Sequence, residues 1–86
     1  MPEISRFYGI IVRMYYDDHF PPHFHTFYGE YEAIINIDTL GIMSGKLPPK
    51  AHGLVIEWAT RNQELLILDW EKARRSEELD KIPPLE

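Results

Sequence analysis

The sequence predicts an α+β domain: a small antiparallel sheet of three to four strands followed by two helices packed on one face, in the order β-β-β-(β)-α-α. Three observations carry this. Residues 7–16 alternate in apolar character, two further strand-like runs flank Gly29-Glu30, and from Pro48 the apolar period lengthens from two to about 3.6 residues. Strands first and helices afterwards indicate an antiparallel sheet covered on one side.

The first run sets Tyr8, Ile10, Val12, Met14 and Tyr16 against Phe7, Gly9, Ile11, Arg13 and Tyr15. Period two in β-branched and aromatic residues predicts one strand, largely buried on both faces. Asp17 and Asp18 end it, and Phe20-Pro21-Pro22 imposes an extended connection, since each proline fixes its own φ and restricts its predecessor.

His23 to Tyr28 and Tyr31 to Asp38 form the next two runs. Gly29-Glu30 between them predicts a two-residue hairpin with glycine at the first position of a type II′ turn. That register sets Tyr28 opposite Tyr31, Thr26 opposite Ala33 and Phe24 opposite Ile35, an apolar set directed at the helices. The other face pairs Phe27 with Glu32, His25 with Ile34 and His23 with Asn36, with Arg13 on the same side and Ile11 among them. Both histidines are thereby expected on the face away from the helices. One residue of slip would reverse every assignment. Asp38 to Gly41 is a second turn candidate, and Ile42 to Ser44 a short further strand ended by Gly45.

Ala51, Leu54, Val55, Trp58 and Ala59 recur at helical spacing and make one apolar stripe behind Pro49, which suits a first helical turn. Leu66, Ile67, Trp70 and Ala73 make a second, with Glu64, Asp69, Lys72 and Arg75 toward water. The break falls near Thr60 to Asn62, where neither Gly nor Pro marks it. Gly53 lies on the polar side of the first helix. Residues 79–86, with Pro83-Pro84, read as an extended and loose tail.

The 86 residues make a single domain, 1–86. Folding at this size buries only about 60–65% of the unfolded surface. Nine of the eleven aromatic residues lie between Phe7 and Tyr31, so the N-terminal third supplies much of the core. The absence of cysteine excludes disulfides and thiolate metal sites and favours the cytoplasm over secretion. No apolar run follows a basic start, so neither a signal peptide nor a membrane span is expected. Nine basic against 14 acidic residues give a formal charge of −5, which disfavours general nucleic-acid binding. Lys72, Arg74 and Arg75 cluster, but Glu71, Glu77, Glu78 and Asp80 surround them, as on a solvated helix end.

Chemistry concentrates in Asp18-His19-Phe20-Pro21-Pro22-His23-Phe24-His25, which holds three of the four histidines. His23 and His25 alternate on a strand, so their rings share a side with Cα atoms about 6–7 Å apart. Two such imidazoles can share a metal, zinc or another divalent transition ion, with His19 or Asp18 completing the set. They can equally act as a general acid and base, with Arg13 steadying an anion. A histidine beside aromatics also often makes no more than a structural hydrogen bond. The fourth histidine, His52, falls on the polar side of a helix and has no assigned role. Catalytic triads in their usual chain order, phosphate loops and nucleotide fingerprints are absent from the sequence.

The runs Ile4 to Gly9, Asp18 to His25, Tyr28-Gly29-Glu30, Gly45 to Pro48 and Glu57-Trp58-Ala59 resemble the bacterial family catalogued as domain of unknown function 4160. The likeness spans nearly the whole chain, and His-x-Pro-Pro-His-x-His is its most specific part; Gly53 departs from the helix former expected there. The resemblance implies a small bacterial or archaeal protein, one half of a two-gene module similar to a toxin–antitoxin pair, with a small protein partner encoded nearby. For His19, His23 and His25 it implies membership of the signature and no assigned reaction.

Three functions fit these residues. The leading one is a partner-binding component, with the toxin itself as one form of it, that uses the sheet face around His23, His25 and Arg13 for a neighbouring protein or for self-association. A ribonuclease-type action would make the histidines the acid–base pair, against the acidic charge. The rival is a small metal-binding protein or hydrolase with His19, His23, His25 and Asp18 as ligands. The third is an adaptor without a site.

Overall fold

A computed structural model describes residues 2–16 and 18–86. Asp17, read with Asp18 as the end of the first strand, lies outside the described residues, as does Met1. Five strands, β1 (Glu3–Phe7), β2 (Ile10–Arg13), β3 (His23–Tyr28), β4 (Tyr31–Asn36) and β5 (Ile42–Gly45), precede two helices, α1 (Pro49–Arg61) and α2 (Gln63–Arg74). The strands form one antiparallel meander in chain order, so the α+β architecture expected from sequence is present with one strand more.

The extra strand corrects the reading of residues 7–16 as a single strand. Tyr8 and Gly9 both take positive φ, +50° and +81°, the pattern of a type I′ turn, and Phe7 pairs with Ile10 across it. The turn is masked in the sequence because the apolar alternation continues through it and because tyrosine seldom occupies this conformation. Beyond the turn, Ile10, Val12 and Met14 are buried while Ile11, Arg13 and Tyr15 are half-buried, so the strand is dry on one face only.

The β3–β4 hairpin has the expected register, from Tyr28 opposite Tyr31 to His23 opposite Asn36. Gly29 takes φ +58° and Glu30 does not follow it into positive φ, as a type II′ turn requires. Phe24, Thr26, Ala33 and Ile35 are fully buried beneath the helices. The Thr26 hydroxyl, polar on this dry face, donates to the Ala33 carbonyl at 2.9 Å and so avoids the cost of an unpaired buried group. In the next turn Asn36 Oδ1 accepts the backbone N–H groups of Asp38 and Thr39, and β5 follows as the outer strand.

Trp58 lies at the centre of the core, its ring 5.3 Å from Phe7 and 5.9 Å from Phe24, with Ala51, Val55 and Ala59 buried along the same face of α1. The break before α2 is made by Asn62. Its side-chain amide donates to the Trp58 carbonyl at 2.8 Å, and its own N–H turns to Ala59. The Gln63 side chain then donates to the Ile37 carbonyl at 2.8 Å and ties the start of α2 to the end of β4.

Two expectations for the C-terminal part change. Asp69, placed toward water by helical period, is only 2% exposed, because the chain folds back over it and Asp80 N–H donates to its Oδ1 at 3.0 Å. Residues 79–86 are neither helix nor strand, but a reading of them as loose leaves out their apolar anchors: Ile82 and Leu85 are buried. Ile82 N–H donates to the Ile4 carbonyl at 2.8 Å and the Trp58 indole N–H to the Pro83 carbonyl at 2.8 Å. Among the described residues, no helix is long and apolar enough to cross a membrane.

Candidate metal centre

The site forms where the connection after β2 returns into β3. His23 opens β3 and His25 follows on the same side, while Asp18 comes back over them from the connection. Both imidazoles end on one atom: Asp18 Oδ2 lies 2.9 Å from His23 Nε2 and 3.1 Å from His25 Nε2. The three side chains are mostly buried, with 8% of His23, 12% of His25 and 23% of Asp18 exposed.

The proton positions follow from the partners. His23 Nδ1 lies 2.7 Å from the Pro21 carbonyl, an acceptor only, so Nδ1 carries a hydrogen and donates. A neutral His23 then has a bare Nε2, and a bare nitrogen facing a carboxylate oxygen sets two acceptors against each other. The contact is satisfied by a second ring proton or by a cation between the two atoms. His25 is simpler: an Nε2–H donates to Asp18, and Nδ1 is buried without a partner among the described residues.

For the Asp18 carboxyl, burial opposes ionisation. The hydrogen bond from His25, the charge and hydrogen bond of His23 and the backbone N–H of His19 outweigh it and hold its pKa below the ordinary aspartate value.

A metal fits this geometry. One ligand atom from each of Asp18, His23 and His25 lies within 4.8 Å of the other two. A tetrahedral zinc with bonds near 2.0–2.2 Å has ligand–ligand edges of about 3.3–3.6 Å, so the Asp18–His23 and Asp18–His25 contacts, at 2.9 and 3.1 Å, are about 0.2–0.7 Å short of that spacing. The Pro21 carbonyl behind His23 is the outer partner that metal-bound histidines commonly have. Three protein ligands leave a fourth position open.

His19 does not join this set. Its backbone N–H donates to Asp18 Oδ1 at 3.2 Å, and the residue lines a cavity of about 340 Å³ with Asp18, Phe20 and Arg74. Arg13 pairs directly with His25 across β2 and β3, as its expected face requires. Its guanidinium lies 5.0 Å from the Phe27 ring centre, and its Nε is buried without a hydrogen-bond partner among the described residues. His52 is half-buried on α1 and stands outside the cluster.

The expectation that both histidines face away from the helices holds only in part. His23 sits at the sheet corner, where Trp70 of α2 reaches the strand end; the two rings are 5.1 Å apart, and the His23 and His25 rings 5.3 Å. Tyr15 closes the other side, edge-on to His25 at 4.5 Å. Sequence reasoning missed Trp70 as a wall of the site, because its helical spacing marks it only as core. It also passed over Arg74 within a charged run.

Residues 9–71 match the family described as Domain of unknown function (DUF4160). The chain belongs to this family. The matched segment includes Asp18, His19, His23, His25 and Trp70 and stops short of Arg74 and the C-terminal tail. No curated protein and no solved structure matches the chain.

Proposed function

We propose that this member of the family is a small metal-binding protein in which Asp18, His23 and His25 hold a divalent transition ion. Zinc suits two imidazoles and a carboxylate best. The observation that carries this reading is the contact between His23 Nε2 and Asp18 Oδ2 at 2.9 Å, on a ring whose other nitrogen already donates to Pro21. A cation resolves that contact with His23 neutral. A three-ligand zinc with a free position lowers the pKa of bound water to about 7, which is the chemistry of a hydrolase. His19 is assigned here to the cavity wall and not to the ligand set.

The test is calorimetric titration of zinc into tag-free, chelator-treated protein, with cobalt(II) as the spectroscopic substitute. One ion per chain, a tetrahedral cobalt spectrum and loss of both in His23→Ala/His25→Ala support the centre. Folded protein that takes up neither ion rules it out and leaves a proton-linked Asp18–His23–His25 network in its place.

A second reading concerns partners. All four residues of β5 are exposed, including Ile42 and Met43, on the outer strand of the sheet. An apolar outer strand is a template for another chain. We assign this edge to the small partner of the two-gene, toxin–antitoxin-like arrangement that the family resemblance implies, or to a second copy of the chain. Co-expression with the neighbouring gene product, and growth of cells expressing the chain alone, test it. A monomer that neither co-purifies with that product nor slows growth would exclude it.

A further inference from the structure

We propose, resting on the metal reading, that the cavity between Asp18 and Arg74 binds the oxyanion group of a small ligand, with the metal holding one oxygen and Arg74 another. Three basic residues lie near the end of α2, and two of them are neutralised within the chain. Lys72 pairs with Asp80, and Arg75 with Glu77 at 2.9 Å. Arg74 has no carboxylate partner among the described residues. Its guanidinium instead lies over the Phe20 ring, 4.0 Å from the ring centre. A guanidinium held by its face keeps its in-plane N–H groups for an anion.

Arg74 and Asp18 line the same cavity of about 340 Å³ without forming an ion pair. The Asp18 oxygens are engaged by His23, His25 and the His19 N–H. The cavity therefore has a cation on one wall and Asp18, one of the three ligand residues, on another. With no metal, Asp18 and Arg74 cancel and offer an anion little. A divalent ion adds two positive charges in a partly dry site, where charge acts more strongly than in water. Anion binding is thus coupled to metal loading.

Size and charge set the ligand class. The cavity is at the small end of ligand pockets, which run from about 300 to 1,000 Å³. The chain's formal charge of −5 repels an extended polyanion more strongly than a single oxyanion group. A second cavity of about 450 Å³ shares Phe20 and Arg74 with the first and adds Pro22, Ile67 and Trp70 on its apolar side and Glu71 and Arg75 on its charged side, which leaves room for a ring with a polar edge as the remainder of the ligand.

The experiment titrates phenylphosphonate and, separately, benzoate into cobalt-loaded full-length protein, followed by the visible spectrum and by calorimetry. Saturable one-to-one binding is expected for at least one of them, and the tighter one identifies a phosphoryl or a carboxylate group. Binding should weaken by about ten- to a hundredfold in Arg74→Gln, the loss of one hydrogen bond to a charged group, while the cobalt spectrum stays unchanged. Equal binding by Arg74→Gln, equal binding by metal-free protein, or no saturable binding of either probe overturns the proposal and leaves the metal centre standing. A protein that never develops the cobalt spectrum fails at the first step, and the metal reading falls with it.

Discussion

Ile82 hydrogen-bonds to Ile4: the N–H of one donates to the carbonyl of the other at 2.8 Å, and both side chains are buried. The Lys81 ammonium donates to the neighbouring Glu3 carbonyl at 2.8 Å, so the chain's last residues lie along β1. Deleting residues 81–86 removes Ile82 and Leu85 from the core and is expected to cost about 3–6 kcal/mol from lost apolar burial, a large share of a small domain's stability. Ile82→Ala alone should cost about 2–5 kcal/mol. Urea denaturation measures both, and a deletion as stable as the full chain would show that these contacts contribute nothing.

Asp69 gives stability an unusual pH dependence. Burial, together with the negative charge of Asp80, raises its pKa above the ordinary 3.8, against the Asp80 N–H bond and the charge of Lys72. Its Oδ2 is buried without a partner among the described residues. A carboxyl with a raised folded pKa contributes fully below its unfolded value and loses that contribution as pH rises through the folded one. Asp69→Asn keeps an oxygen for the Asp80 N–H. It should melt higher than the parent at pH 7, and the difference should close as pH falls toward 3.8. Parallel melting curves across that range would contradict the assignment.

Asp18 has the opposite sign. Its pKa is lowered, so the stability it contributes is present above the unfolded value and is lost as pH falls through the folded one. Asp18→Asn should therefore melt below the parent at neutral pH and converge with it in acid, which a pH series of melting temperatures resolves.

Two glycines respond oppositely to alanine. Gly45 has φ +77°, and an added Cβ would stand 2.1 Å from the Glu32 carbonyl oxygen. Gly45→Ala must move backbone at the β4–β5 contact and should cost at least about 1–2 kcal/mol, the left-handed penalty alone. Gly53 is exposed in α1 with nothing within 4 Å of the added atom, and Gly53→Ala should stabilise by up to about 1 kcal/mol. Chemical denaturation of the two variants checks both signs.

On the proposed metal reading, with binding to the native state only, zinc at about a hundred times its dissociation constant should stabilise the protein by about 2.7 kcal/mol. A melting-temperature rise that His25→Ala abolishes is the expected result. A rise that persists in His25→Ala would place the ion elsewhere.

Where the sequence was legible, the signal was local. Gly29 fixes a tight turn, the turn fixes the register, and the register brings His23, His25, Arg13 and Asn36 to known positions. Asn62 marks the helix break through its side chain, a weaker signal than Gly or Pro, but the apolar stripes on either side bracket it. What was not legible depends on contacts far along the chain. Asp69 is buried by Asp80, and Trp70 reaches a strand 47 positions earlier at His23. Arg74 differs from Lys72 and Arg75 only in what surrounds it once folded: an aromatic ring in place of a carboxylate. The Tyr8-Gly9 turn is local yet was hidden, because tyrosine there satisfies the strand pattern while adopting a turn conformation.

The two ends of the sheet are unlike. At β1 the chain's own tail occupies carbonyls that a further strand would need, whereas β5 presents its outer side with Ile42 and Met43 exposed. A strand added along β1 would have to displace the tail from the Ile4 carbonyl, whereas one added along β5 would meet no such contact among the described residues.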